Sequence, residues 1–173
     1  MRRRPAACLS SSRNHRGMLV SAQQELQLMS QLTLEQAQTI LTVALRHGVD
    51  HKFQPLAVAV LDARGVPKAF AAQDGTSLRR YEIASGKAHG ALSFGIGSRA
   101  LAKRAAASPQ FIAAVTHAVG GSLVPVPGGV LIRDADKQII GAVGISGDNS
   151  DNDEAAAIAG ITAAGLVADP GDG

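Results

Sequence analysis

The run Ile139-Ile-Gly-Ala-Val-Gly-Ile-Ser146 constrains the fold of this chain more than any other segment. It reads as the core of a β-strand that follows the turn Asp134-Ala-Asp136. Side chains alternate across a strand. Ile139, Gly141, Val143 and Ile145 therefore share one face, and Ile140, Ala142, Gly144 and Ser146 share the other. The second face is so small that only a helix or a ligand at close range can fill it. Gly147 ends the run, and Asp148-Asn-Ser-Asp-Asn-Asp-Glu154 leads into a helix of small residues. Backbone amides, a hydroxyl and several carboxylates thus meet at one strand-to-helix junction. Such junctions bind ligands more often than average loops do.

The composition offers little bulk to fill gaps. Aromatic residues make up 3% of the 173 and there is no Trp. The core must be Ala, Val, Leu, Ile and Gly, so its elements must pack closely. This length suits one domain with one core. A hydrophobic content of 46% against 18% charged residues is that of a globular chain. No apolar run reaches the roughly 18–20 residues that span a bilayer, so no membrane association is expected. Cys8 is the single cysteine, which excludes an internal disulfide or a cysteine-based metal cluster.

The net charge of +3 belongs to the N-terminus. Arg2, Arg3, Arg4, Arg13 and Arg16 lie in an acid-free stretch and are five of the 17 basic residues, leaving 12 against 14 acidic ones. A slightly acidic body with few aromatics argues against a nucleic-acid surface. Residues 1–30 read as a disordered or non-native arm, with Met18 or Met29 as natural starts. The apolar stretch Ala6-Ala7-Cys8-Leu9 is too short for a secretory signal, so a cytoplasmic protein is expected. The domain proper is expected over 31–169, with a tail over 170–173.

Thr33-Leu-Glu-Gln36 is a capping box, and Leu34, Ala37, Ile40, Leu41, Ala44 and Leu45 form one helical face, which predicts a helix from 33 to Gly48. Leu56 to Leu61 reads as a buried strand, and the turn Asp62-Ala-Arg-Gly65 folds Val66 to Ala71 back on it as a hairpin. A second turn, Gln73-Asp-Gly-Thr76, precedes a helix from about Ser77 to Leu92. Ser108-Pro109 opens a short helix, and Gly120 to Val126 reads as irregular or edge strand. Val130–Arg133 and Lys137–Ser146 form a second hairpin, and the last helix is expected from near Asp151 to about Val167. Two hairpins separated by helices favour an α+β fold, an antiparallel sheet with helices packed over both faces.

Asp151 with Glu154, and Ser150 with Asp153, each fit a capping box. Those acids either cap the helix only, or one of Asp153 and Glu154 reaches a ligand; successive carboxylates cannot point the same way. His47 and His51 stand four apart, but Gly48 between them is expected to end the helix, which weakens a zinc pair. Lys87 and His89 flank the apolar stripe of the middle helix, as rim side chains or as groups facing a cleft. Asp74-Gly75 reads as a turn, and Gly128-Gly129 as a place where a ligand could approach backbone. No phosphate loop or nucleophile elbow occurs.

Several segments in order carry a resemblance: Leu32-Thr33-Leu34, Ala57-Val-Ala-Val-Leu-Asp62-Ala-Arg-Gly65, Asp74-Gly75, Ala84 through Lys87-Ala88, Pro127-Gly-Gly-Val130, Gly141 to Gly147, and Asp153-Glu154. Over about residues 32–168 the chain resembles the GlcG/HbpS-type family, the haem-binding or haem-degrading domain. It is also similar to the C-terminal domain of a cobalamin adenosyltransferase of propanediol metabolism. The resemblance implies a profilin-like layered sandwich, a homo-oligomer, and haem or corrinoid binding or an accessory role in a catabolic operon.

Two functions follow. The first is binding of haem or a related tetrapyrrole, with His51 or His89 as the axial ligand, haem being the one cofactor expected. The second is a cofactor-independent lyase, isomerase or hydrolase acting on a small oxygenated metabolite. There His89, Lys87 and Glu154 would move protons, with Asp74 or Asp153 as alternative acids. In either case the ligand-binding candidates are Asp74, Gly75, Gly128, Gly129, Gly144, Ser146, Gly147 and Asp153.

Overall fold

Thr33 fixes where the first helix starts. In the computed structural model, which describes residues 31–171, the Gln36 amide donates to Thr33 Oγ1 at 3.1 Å and the Thr33 amide donates to Gln36 Oε1 at 3.0 Å. The expected N-terminal arm, with Cys8, lies outside the described residues. Helix α1 (Leu34–Asp50) buries Ala37, Ile40, Ala44 and Gly48 as one stripe. Gly48 does not end this helix, contrary to the sequence expectation. Its missing side chain serves packing: a Cβ there would lie 2.7 Å from Leu56 Cδ1.

Strands β1 (Ala57–Asp62), β2 (Pro67–Ala72), β3 (Gly129–Arg133), β4 (Ile139–Ser146) and β5 (Val167–Asp169) form one antiparallel sheet in the order β2-β1-β4-β3-β5. Helix α2 (Arg80–Phe94) covers one face through Ala88, Ala91 and Leu92, against Leu61, Leu131 and Ala142. Helices α1 and α5 (Ser150–Ala163) cover the other, where Ile40, Ala157 and Ile161 meet Val58, Val60, Val130 and Val143. The α+β architecture with helices on both faces is the one expected.

The alternation of β4 holds from Gly141 onward and inverts before it. Ile132 pairs with Gly141, whereas Arg133 pairs with Ile139. Ile140 is thus an extra residue, a β-bulge that turns successive side chains over. Ile139 packs with Leu61 and Ala88, and Ile140 packs with Leu32 and Ile40.

Two further elements depart from the sequence reading. Helix α3 (Ser98–Ala107) precedes α4 (Pro109–Ala118). Only Ser98 and Leu101 of α3 are buried, so its sequence carries almost no apolar period. Leu101, Ile112 and Leu123 make a small separate cluster beside Phe94. The last helix stops at Ala163, Gly165 takes φ +72, and Val167–Asp169 pairs with Leu131–Arg133 instead of continuing the helix. Pro170 and Gly171, expected in a tail, pack against Gly97, and the Arg99 amide donates to the Pro170 carbonyl at 3.1 Å. Among the described residues no helix is long and apolar enough to cross a membrane.

Candidate functional site

The carboxylates at the β4–α5 junction are released from capping by Asn149. Its side chain accepts from the Asn152 amide at 3.0 Å, so neither Ser150 nor Asp151 serves as the N-cap. Asp153 and Glu154 then diverge. Asp153 Oδ1 accepts from the Asp148 amide at 3.1 Å, and Lys87 Nζ donates to Oδ2 at 2.7 Å. Both side chains of this ion pair are almost wholly inaccessible, at 3% and 2%. Glu154 is bound by Arg99 of α3, which also reaches Asp151.

Burial draws the Lys87 amine below its ordinary value and pushes the Asp153 carboxyl above its own, each opposed by the partner's charge. The short contact and the donating Asp148 amide favour the ionic form of the pair against that burial.

Gly128 and Gly129 make this burial possible. Gly128 has φ +107, and a Cβ on it would stand 2.9 Å from Lys87 Nζ and 2.9 Å from Asp153 Cβ. A Cβ on Gly129 would overlap the Lys87 carbonyl, while its amide donates to the buried Ser98 Oγ at 2.7 Å. Ser146 closes the group. Its hydroxyl, 1% exposed as a residue, accepts from Arg80 Nη1 at 3.0 Å.

Of the remaining sequence candidates, Gly144, paired with Gly129, and Gly147, next to Ser146, adjoin this group, whereas Asp74, Gly75 and His89 do not join it. Gly144 is covered by the α2 backbone at Ala84 and Ala88, and Gly147 by Pro55 and Leu56. Asp74 is exposed, and Gly75, at φ +89, completes its turn against Pro55. His89 faces another way from Lys87: a Cβ on Gly65, in the β1–β2 turn, would lie 2.9 Å from His89 Nε2. His89 Nδ1 is buried with no hydrogen-bond partner. The structure therefore joins Lys87 to Asp153 and keeps His89 from both.

Sequence reasoning missed Arg80 and Arg99. Each sits in the first turn of a helix, where a cation opposes the helix dipole. For Arg80, in the first turn of a predicted helix, that mismatch was the available signal; Arg99 lies in a helix the sequence did not reveal.

A second cluster forms where α1 ends. The rings of His47 and His51 stack with centroids 4.0 Å apart, and Phe53 lies 5.7 Å from each. His51 Nδ1 is 2.9 Å from the His47 carbonyl oxygen. A carbonyl oxygen only accepts, so that contact assigns the proton to Nδ1 and leaves Nε2 as the nitrogen available to a metal. No group of three or more metal-ligating side chains occurs among the described residues.

Burial, then the His51 charge, hold His47 below its ordinary value of 6.5, against Asp50. In that window the unfolded chain binds more protons than the folded one. Stability is therefore lost as pH falls through 6.5 toward the lowered value. Urea unfolding at about pH 7.5 and about pH 5.5 should show a smaller acid loss in His47→Gln than in the unsubstituted protein; equal losses would show that His47 is not the group responsible.

The family model described as haem degrading protein, HbpS-like, matches residues 32–162. A crystal structure of a PduOC:heme complex is similar at a TM-score of 0.71 and 22% identity, covering 79% of this chain and 97% of that one, and at that identity the likeness concerns the fold. The crystal structure of HbpS is similar at TM-score 0.66 and 29% identity, covering 76% of this chain and 89% of that one. A double mutant of Streptomyces reticuli HbpS is similar at TM-score 0.66 and 25% identity, over 94% of this chain and 97% of that one. Comparison with curated proteins gives no significant match.

Proposed function

The chain belongs to the HbpS-like family, and on that premise we propose that it binds haem or a closely related tetrapyrrole, with His51 as the axial ligand. The observation that carries this reading is the contact of His51 Nδ1 with the His47 carbonyl. A ligating imidazole ordinarily has its second nitrogen held by a carbonyl or carboxylate, which fixes the tautomer and the ring plane. His51 is so held, is exposed, and has Phe53 beside it as an apolar neighbour for a flat macrocycle. Bound haem would supply a redox-active iron and a strong visible absorbance.

His89 fits that role less well. Its unpartnered Nδ1 is inaccessible and is held by no carbonyl or carboxylate, and its Nε2 is turned toward the Gly65 turn. Nor does the geometry favour proton transfer by Lys87, His89 and Glu154 acting together. Lys87 is held by Asp153, Glu154 by Arg99, and His89 lies on another side of α2.

Haemin titration followed in the Soret region tests the proposal. The unsubstituted protein and His89→Ala should shift the band, and His51→Ala should lose the shift. A shift that survives in His51→Ala but disappears in His89→Ala would reverse the assignment. Its absence from the unsubstituted protein would end the tetrapyrrole reading.

A further inference from the structure

The cations around the end of β4 are not equivalent. Lys87 faces Asp153, Arg99 faces Asp151 and Glu154, and Arg79 faces Glu82. Arg80 forms no ion pair among the described residues, and the Asp153 carboxylate acts on it only electrostatically. Its Nε donates to Ser77 Oγ at 3.1 Å and its Nη1 to Ser146 Oγ at 3.0 Å. A hydroxyl of the loop before α2 and one at the end of β4 thus set the plane of the guanidinium. One of them, Ser146, is buried at the end of β4. A guanidinium carries five donors in a rigid fork, so more than half of this one's donors are not used by those bonds.

Arg80 is also the first residue of α2, where a cation opposes the helix dipole. An anion bound at this point would satisfy the fork and remove that conflict together. The matching shape is planar and bidentate, which is the geometry of a carboxylate. The group lies partly buried, so water screens it less than a surface arginine.

We propose that Arg80, oriented by Ser77 and Ser146 at the start of α2, anchors the carboxylate of a bound organic acid. The carboxylate belongs either to a free small acid or to a propionate side chain of a tetrapyrrole. In the second form the proposal rests on the haem reading above; in the first it stands without it.

Calorimetric titration with malonate at constant ionic strength, and with haemin beside its dimethyl ester, separates the sources. The proteins compared are the unsubstituted chain, Arg80→Gln and Arg79→Gln. Arg79→Gln makes the same charge change one residue away, at a side chain already engaged by Glu82. If a free acid is the occupant, malonate affinity falls at least about tenfold in Arg80→Gln and is unchanged in Arg79→Gln. If a propionate is the occupant, haemin loses about the same factor in Arg80→Gln while the dimethyl ester binds all the proteins equally. Equal effects of the two substitutions would mean unspecific charge attraction and would overturn the proposal. So would Arg80→Gln binding every probe as the unsubstituted protein does. Failure of haemin and its ester to bind at all removes the haem reading and leaves the malonate result to decide.

Discussion

Asp153→Ala is expected to destabilise the protein by about 3–5 kcal/mol, the usual cost of stranding one member of a buried ion pair. Lys87 would be left in a position 3% exposed with its 2.7 Å partner gone, where burial already disfavours its charge. Arg80 is a nearby cation that further disfavours the charge on Lys87, and the Glu154 carboxylate offsets this only in part. The same substitution frees the Asp148 amide, which donates to Asp153 Oδ1 at the start of the α5 loop.

In the reciprocal change, Lys87→Met, the unpaired carboxyl can protonate. Burial already raises Asp153 while Lys87 opposes it. Removing Lys87 therefore raises Asp153 further. In that variant the folded state binds more protons than the unfolded one between the ordinary carboxyl value of 3.8 and the raised one. Stability should then increase as pH falls through the raised value, opposite to ordinary acid denaturation. Lys87→Met/Asp153→Leu should recover most of the loss, since an apolar pair of similar volume replaces two desolvated charges. Urea unfolding of the unsubstituted protein, Lys87→Met, Asp153→Leu and the double variant closes a double-mutant cycle. A loss below about 1 kcal/mol in Asp153→Ala, or strict additivity in the double variant, would mean that the pair is not the buried unit described.

The ion pair also marks where sequence reasoning stops. Thr33-Leu-Glu-Gln36 was legible as a helix start because its chemistry is local, two hydrogen bonds across three residues. The hairpins were legible because apolar runs flank recognisable turns. Lys87 and Asp153 are 66 residues apart, and nothing local distinguishes them from a surface lysine and a capping acid. At the start of α5, Asn149, Ser150 and Asp151 all had capping chemistry, and the choice among them decided whether Asp153 was free. Helix α3 was hidden by its thin apolar stripe, and β5 by an apparent helical continuation that Gly165 breaks. The bulge at Ile140 could not be seen in one strand, because it is a mismatch between two.

Gly144→Ala carries the second large effect, and it tests the feature that shapes the fold. A Cβ on Gly144 would overlap the Ala84 carbonyl oxygen and lie 2.8 Å from its carbon and 2.9 Å from the Ala88 amide nitrogen. These are backbone atoms of α2, so no rotamer change can relieve the contact and the helix itself must lift. Overpacking commonly costs about 1–3 kcal/mol, and a rigid obstacle places this case at or above the upper end. The neighbouring strands share the same design. Ala59 and Gly129 flank Gly144 across the sheet, and Gly129 is likewise pressed against the α2 backbone, at Lys87. Lifting α2 would therefore displace Lys87 from Asp153 and Arg80 from Ser146 together. Adding Ala84→Gly to Gly144→Ala should give no rescue, because the obstacle is the Ala84 carbonyl and not its methyl group. Recovery of stability in that double variant, or a loss under about 1 kcal/mol in Gly144→Ala, would show that α2 does not ride on the strand through its backbone.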